Sequence, residues 1–279
     1  MSDLPQAAEP SVEIGQLTTS AAGAYAKRRT RQLFGYPVHA LTMDEVLSCV
    51  DTTIKRRSRL LIGVVNAAKI VNMRRNPVLR DAVLRSDLIL ADGMSVVWAS
   101  RLLGQSLPER VPGIDLMHEM LRQGRGRGYR VYCFGASQDV LDKTVARINE
   151  RYPGVMIVGK RNGYYDAEDE PKIVEDISAA RPDILFVAMS PPKKEIFLAR
   201  WANELSVPVC HGVGGAFDVV AGKTKRAPVF WRRHGLEWLY RVVKEPRRMW
   251  KRYLVTNTIF VVLVMREFLL GPSSDRDKG

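Results

Sequence analysis

The sequence predicts an α/β protein: a largely parallel sheet with helices on both faces, followed by a basic helical appendage. Three observations predict it. Short apolar runs alternate with helical patterns through most of the 279 residues, and hydrophobic residues make up 46%, enough to bury a large core. Each run stops on a small or polar residue, as strands of a doubly covered sheet do before turning into a helix. Beyond Lys223 that alternation ends and a cationic, aromatic-rich helical pattern replaces it.

Taken in order, residues 1 to about 30 are rich in Ala, Ser and Thr without apolar periodicity, which predicts a disordered lead. Order begins near "RQLFGYPVHALTMDEVLSCV". There Thr42 and Glu45 have the spacing of a capping box, so a helix starts after a short strand. "RLLIGVV" then runs into Asn66 and "AAKIVNMRR", and "SDLILA" into Asp92, Gly93 and "MSVVWASRLLG". "YRVYCFG" leads to "ASQDVLDKTVARINERY", "DILFVAM" to "SPPKKEIFLARWANEL", and "VPVCHGV" to "GGAFDVVAG". These elements make up an α/β core over 31–222; the appendage covers 223–270 and a polar tail 271–279.

The net charge of +13 is uneven. Between Lys223 and Arg252 eleven Lys or Arg face only Glu237 and Glu245, so this stretch carries +9. A solvated helical face would interleave acids; their scarcity implies an anionic partner, whether phosphate, nucleic acid or an acidic membrane surface. Trp238, Tyr240, Trp250 and Tyr253 threaded among the arginines suit anionic headgroups. The run "YLVTNTIFVVLVM", broken by Thr256, Asn257 and Thr258 and ended by Arg266 and Glu267, falls short of the roughly 20 apolar residues of a spanning helix. No signal-peptide pattern opens the sequence, and Cys49, Cys133 and Cys210 form no CxxC pair, so buried thiols in a reducing cytoplasm are expected.

In a parallel α/β sheet, ligands bind beyond the carboxyl ends of the strands. The residues there are Asn66, Asp92 and Gly93, Gly135 to Ser137, Ser190 to Lys194, and Gly214 to Asp218. Asp92 is either a helix cap or a general base at the sheet rim. Asn66, in the matching place one strand earlier, could cap the next helix or converge on the same site. "FGAS" and "GVGG" are glycine turns that can offer amides to a phosphate, but neither is a dinucleotide or P-loop motif. Lys193 and Lys194 open a helix, where cations oppose the dipole, so an anionic ligand or Glu195 must compensate. His39, His118, His211 and His234 lack metal-ligand spacing, and the only Asp-x-Asp, Asp275 and Asp277, lies in the tail. With no rim pair to hold a metal on a diphosphate, no metal or other cofactor is expected.

The motifs "VVNAAKIV", "SDLILADGMSVVW", "LPERVPGIDL", "YPGVMIVGKRNGYY", "SPPKKE", "GVGGAFDVVAGKTKRAP" and "GLEWLYRVVKEPRR" follow one another over about residues 33 to 255. In order and spacing they resemble the WecG/TagA/CpsF glycosyltransferases. The resemblance implies a Rossmann-like core and an inverting, metal-independent transfer from a UDP-sugar to a polyprenyl-diphosphate-linked sugar at the inner membrane face, in cell-surface polysaccharide synthesis. It places the catalytic base at Asp92 and the sugar-binding amide at Asn66. Nucleotide and diphosphate contacts fall on Gly135, Tyr164, Gly214, Gly215, Asp218, Arg241 and Arg248. Two positions depart from the family pattern. Val64 stands where a threonine is common, and Lys194 where a glutamine is usual, both near the donor. The donor is therefore open between N-acetylmannosamine, its uronate and glucose, and Lys194 is expected to meet a uronate or the diphosphate. A homo-oligomer is compatible with these features.

A second class, a basic nucleic-acid enzyme such as a methyltransferase, would use the cationic stretch for phosphate contacts. It calls for a glycine-rich loop after the first strand, where this chain has Asn66; no nucleic-acid partner is therefore expected.

Overall fold

The computed structural model describes residues 29–233, 235–244 and 246–271. The lead up to residue 28, His234 and the tail beyond 271 lie outside them, as do the side chains of Arg241 and Arg248.

The chain enters through an antiparallel hairpin, β1 (Thr30–Leu33) and β2 (Tyr36–His39), closed by Phe34 and Gly35, both at positive φ. The single strand expected before Thr42 is thus a two-strand hairpin with a two-residue turn. Thr42 and Glu45 form the predicted capping box on α1 (Met43–Arg56). The core then alternates: β3 (Leu60–Val65), α2 (Ala67–Arg75), α3 (Pro77–Leu84), β4 (Leu88–Ala91), α4 (Met94–Leu102), α5 (Gly113–Gly124), β5 (Arg130–Gly135) and α6 (Gln138–Arg151). After β6 (Met156–Arg161) come α7 (Glu170–Ala179), β7 (Ile184–Ala188), α8 (Lys193–Arg200), β8 (Val209–Gly212) and the short α9 (Ala216–Val220).

The six core strands form one parallel sheet in the order β4-β3-β8-β7-β5-β6. Five of them are the five apolar runs of the sequence. The sixth, β6, breaks that pattern with Gly159, Lys160 and Arg161; it is the exposed edge strand and needs no continuous apolar run. Alternate residues of the central strands feed opposite faces. Ile62, Cys133, Phe186 and Val209 pack under α1, α5, α6 and α9, while Leu61, Phe134, Leu185 and Cys210 pack under α7 and α8. All three cysteines are free and buried, and burial pushes the Cys133 and Cys210 thiols up to about 12.

The chain runs from β5 outward to β6 and from β7 inward to β8, so the loops after β5 and β7 diverge and open a crevice between them. The two strand ends come close there. Gly135 has φ 125°, and a Cβ on it would lie 2.3 Å from the Ala188 carbonyl oxygen. Glycine is required at that position by this contact alone.

After the core come α10 (Val229–Arg233), α11 (Glu237–Lys244) and the long α12 (Pro246–Leu270). The appendage is tied to the core at several points. Arg226 pairs with Asp115 of α5 at 2.7 Å. Gly235 lies so close to Met94 and Trp98 of α4 that a Cβ would fall 2.5 Å from Met94 Cβ. The far half of α12 packs on α2 and on the hairpin, with Phe260 and Val264 buried, the Phe34 and Phe260 rings 5.2 Å apart, and Glu267 accepting from the Phe34 N–H at 3.1 Å. This contact corrects the expectation that Arg266 and Glu267 end the apolar run. Glu267 is buried against the hairpin, so the helix continues, and the 18 residues Tyr253–Leu270 are long and apolar enough to cross a membrane by length and composition. Their outward side, including Leu254, Val261, Val262, Met265 and Phe268, is exposed.

Candidate active site

Strand order converts the scattered candidates into a line along one rim. It runs from Asp92 after β4 and Asn66 after β3 to Gly214 and Gly215 after β8. Ser190 to Lys194 follow after β7, Gly135 to Ser137 after β5, and Tyr164 beyond β6. Adjacent strands lie about 4.8 Å apart, so Asn66 and Gly135 are separated laterally by roughly 14 Å.

Asp92 prolongs β4: its N–H bonds the Val65 carbonyl at 2.8 Å, in step with the β3–β4 register. It does not cap α4, whose N-cap is Gly93 without any side-chain bond. Its carboxylate is instead held from two sides. Asn66 Nδ2 donates to Oδ2 at 3.5 Å, and the Gly113 N–H, at the first residue of α5, donates to Oδ1 at 3.3 Å. Asn66 serves both of its readings, because its Oδ1 accepts from the Lys69 N–H at 3.0 Å as the N-cap of α2 while its amide group faces Asp92. The half-buried Asp92 carboxyl has its pKa raised, first by burial and then by the Glu237 carboxylate at the start of α11. Lys69 and the bonds from Asn66 and Gly113 oppose the rise.

Lys69 is the site residue that sequence reasoning missed. Its ammonium bonds Glu195 Oε1 at 2.8 Å, and Lys194 bonds the same oxygen. All three side chains are about nine-tenths buried. Burial drives Glu195 up, but the two ammoniums outweigh it and hold it below the usual carboxylate range. Burial, with Lys69 adding, pulls Lys194 down to about 8, against the pull of Glu195 and Asp92. The compensation sought for two cations at the start of α8 is therefore internal. Lys194 takes Glu195, while Lys193 lies 3.6 Å above the Tyr165 ring and donates to the Gly163 carbonyl at 3.2 Å. The signal available in the sequence was Lys69 itself, a cation three residues beyond Asn66 on a helix turn that must face the sheet.

The remaining candidates separate by exposure. Tyr164 is 78% exposed beside the crevice, with its N–H tied to Asn162. Gly215 faces open space. Asp218 points to Lys223 at 3.4 Å, and Val64 is half-buried in the core beside Gly113. Among the described residues no group of three or more His, Cys, Asp or Glu is placed to hold a metal ion.

Residues 31–274 match the profile described as the "Glycosyl transferase WecG/TagA/CpsF family". The chain belongs to that family. It is a glycosyltransferase, and its parallel Rossmann-like core is the one the resemblance implied. Among its relatives is the N-acetylglucosaminyldiphosphoundecaprenol N-acetyl-beta-D-mannosaminyltransferase of Bacillus spizizenii, 37% identical over 180 residues, covering 64% of this chain and 69% of the relative. The Bacillus subtilis protein of the same name is 37% identical over 203 residues, covering 71% and 78%. That of Staphylococcus aureus is 33% identical over 222 residues, covering 79% and 85%.

Proposed function

We propose that this glycosyltransferase moves a neutral sugar, N-acetylmannosamine or a close relative, from UDP to a polyprenyl-diphosphate-linked sugar, with inversion and without a metal, in cell-surface polysaccharide synthesis. Asp92 is the general base. The observation that carries this reading is its setting. It is a carboxylate at a strand end that caps nothing and is fixed by two donors, with two ammoniums and the Glu195 carboxylate behind it and the Glu237 carboxylate bearing on it from the appendage. Lys194 is matched by Glu195, and Lys69 favours the ionised Asp92 against burial and the Glu237 carboxylate, as a group that begins the reaction as a proton acceptor needs.

The order along the rim supports the same reading. A donor laid along it would put the sugar at Asn66 and Asp92, the diphosphate near Gly214 and Gly215, and the uridine near the β5–β7 crevice and Tyr164. Asp92 takes the acceptor hydroxyl proton as that oxygen attacks the anomeric carbon from the face opposite the departing UDP. Arg241 and Arg248 are the proposed counter-charges for the diphosphate. Lys194 argues for a neutral donor, because its charge is already matched by Glu195 and its side chain is nearly inaccessible. The relatives, named for N-acetylmannosamine transfer to an undecaprenyl-diphosphate-linked sugar, point the same way.

The exposed apolar side of α12 and the cationic stretch before it favour a peripheral position on the anionic inner membrane surface. The deciding experiment scores UDP release from UDP-N-acetylmannosamine, its uronate and UDP-glucose with a lipid-diphosphate-N-acetylglucosamine analogue, with and without EDTA. Asp92→Asn should lower kcat by about 10²–10⁴-fold while UDP still binds. Turnover within a few-fold of wild type would remove Asp92 from the chemistry, and loss of activity in EDTA would remove the metal-free mechanism. Preference for the uronate would overturn the neutral donor.

A further inference from the structure

His211, the penultimate residue of β8, has its side chain fully buried and makes no direct contact with Asp92 or Asn66 among the hydrogen bonds of the site. Its Nε2 lies 3.0 Å from the Gly113 carbonyl oxygen, and its Nδ1 lies 3.4 Å from that of Ile62. Burial, helped by Lys69 and Lys194, lowers its pKa, although both carbonyl contacts oppose this. A neutral imidazole has one N–H, and the shorter contact takes it, so Nε2–H donates to Gly113.

Gly113 is also the residue whose N–H donates to Asp92 Oδ1. A glycine between two peptide planes is the least constrained residue a chain can offer. Here its carbonyl side is held by His211 on β8 and its amide side faces the carboxylate beyond β4. The fit is close: a Cβ on Gly113 would lie 3.4 Å from His211 Nε2 and 3.7 Å from Val64 Cγ1. Because Gly113 is the first residue of α5, its N–H is one of the helix's unsatisfied donors and carries the positive end of the helix dipole.

We infer that His211 is a positioning residue for the transfer reaction, a buried lock on Gly113 that aims the first N–H of α5 at the base Asp92. The inference rests on the reading of Asp92 as the base. The groups that bear on Asp92 are the Asn66 amide and Lys69 from β3 and α2, the Gly113 N–H from α5, Lys194 from α8, and Glu237 from α11. Of these, His211 hydrogen-bonds only Gly113. Removing its donor should loosen the Gly113 bond and leave the other four in place.

The test compares His211→Phe, which fills the space without a donor, with His211→Gln, whose amide can still donate. His211→Phe should lower kcat by about 10- to 100-fold, the scale of a misaligned catalytic group, with KM for the UDP-sugar unchanged. It should also move the acid limb of kcat/KM upward, because the carboxylate loses a bond that favours its ionised form. His211→Gln should restore most of both. A folded His211→Phe enzyme with wild-type kcat and acid limb overturns the inference. If that variant does not fold, the wild-type imidazole decides by nitrogen NMR. A neutral ring protonated at Nε2 from about pH 6 to 8 supports the lock, and a ring protonated at Nδ1 or titrating in that range overturns it. Asp92→Asn, run alongside, separates the two readings. If Asp92→Asn is inactive and His211→Phe is unaffected, only the lock fails; if Asp92→Asn stays active, the base itself fails.

Discussion

Lys69→Met removes one cation from beneath Asp92 and keeps most of the apolar stem. In the wild-type protein three carboxylates, Asp92, Glu195 and Glu237, stand against the two ammoniums of Lys69 and Lys194; in the variant they share one. Glu195 keeps Lys194 as a partner, while Asp92, already opposed by Glu237, loses the cation that favours its ionised form. An opposite charge at close range depresses a carboxyl pKa by about 1–3 units. Lys69 bonds Glu195 and is in the second rank around Asp92, so its loss raises the Asp92 pKa by the weaker end of such an effect. The direction follows from the base being active only when ionised. Raising its pKa moves the acid limb of kcat/KM upward, lowers activity below that limb, and leaves activity above it unchanged. The assay is UDP release across pH with saturating acceptor, checked against Lys69→Arg, which keeps the charge. If Lys69→Met folds and its acid limb coincides with wild type, the charge balance proposed for Asp92 is wrong.

Glu195→Gln leaves two buried ammoniums without their carboxylate and should cost about 3–5 kcal/mol, read as a fall in Tm on the order of 10 °C at neutral pH. In the wild-type protein Glu195 has a folded pKa below its unfolded value. Its contribution is therefore complete above the ordinary glutamate range and is lost as pH falls through the folded value, so the difference in Tm between wild type and variant should shrink in acid. Gly135→Ala drives a methyl into the Ala188 carbonyl at positive φ and should cost about 3 kcal/mol; a variant with unchanged Tm would show that the β5–β7 ends are not in contact. Glu267→Leu deprives the Phe34 N–H of its acceptor and should cost about 1–3 kcal/mol, with faster hydrogen exchange at that amide.

Five core strands were legible as apolar runs because a strand covered on both faces needs hydrophobic residues at every position. The capping box at Thr42 and Glu45 was legible because both partners lie within one turn. β6 was hidden by its exposure, and the continuation of α12 past Glu267 was hidden because the amide that donates to this acid sits 233 residues away, in the hairpin. The site divides in the same way. Asp92 and Asn66 could be placed on the rim from the sequence, since each follows a strand directly. The sequence could not settle whether Asp92 capped a helix; the bonds from Asn66 and Gly113, and Gly93 at the N-cap, decided it.

The sequence by itself determined the parallel α/β class, the rim on which chemistry is possible, the charge asymmetry and the family. Local periodicity and the order of short motifs carry all of these. Only the tertiary structure determined that Lys69 and Lys194 share Glu195, that Glu237 of the appendage bears on Asp92, and that His211 holds Gly113. Those relations join residues 98 to 145 positions apart. Whether a buried charge is matched depends on which side chains meet across strands β4, β3 and β8, and that no spacing along the chain can specify.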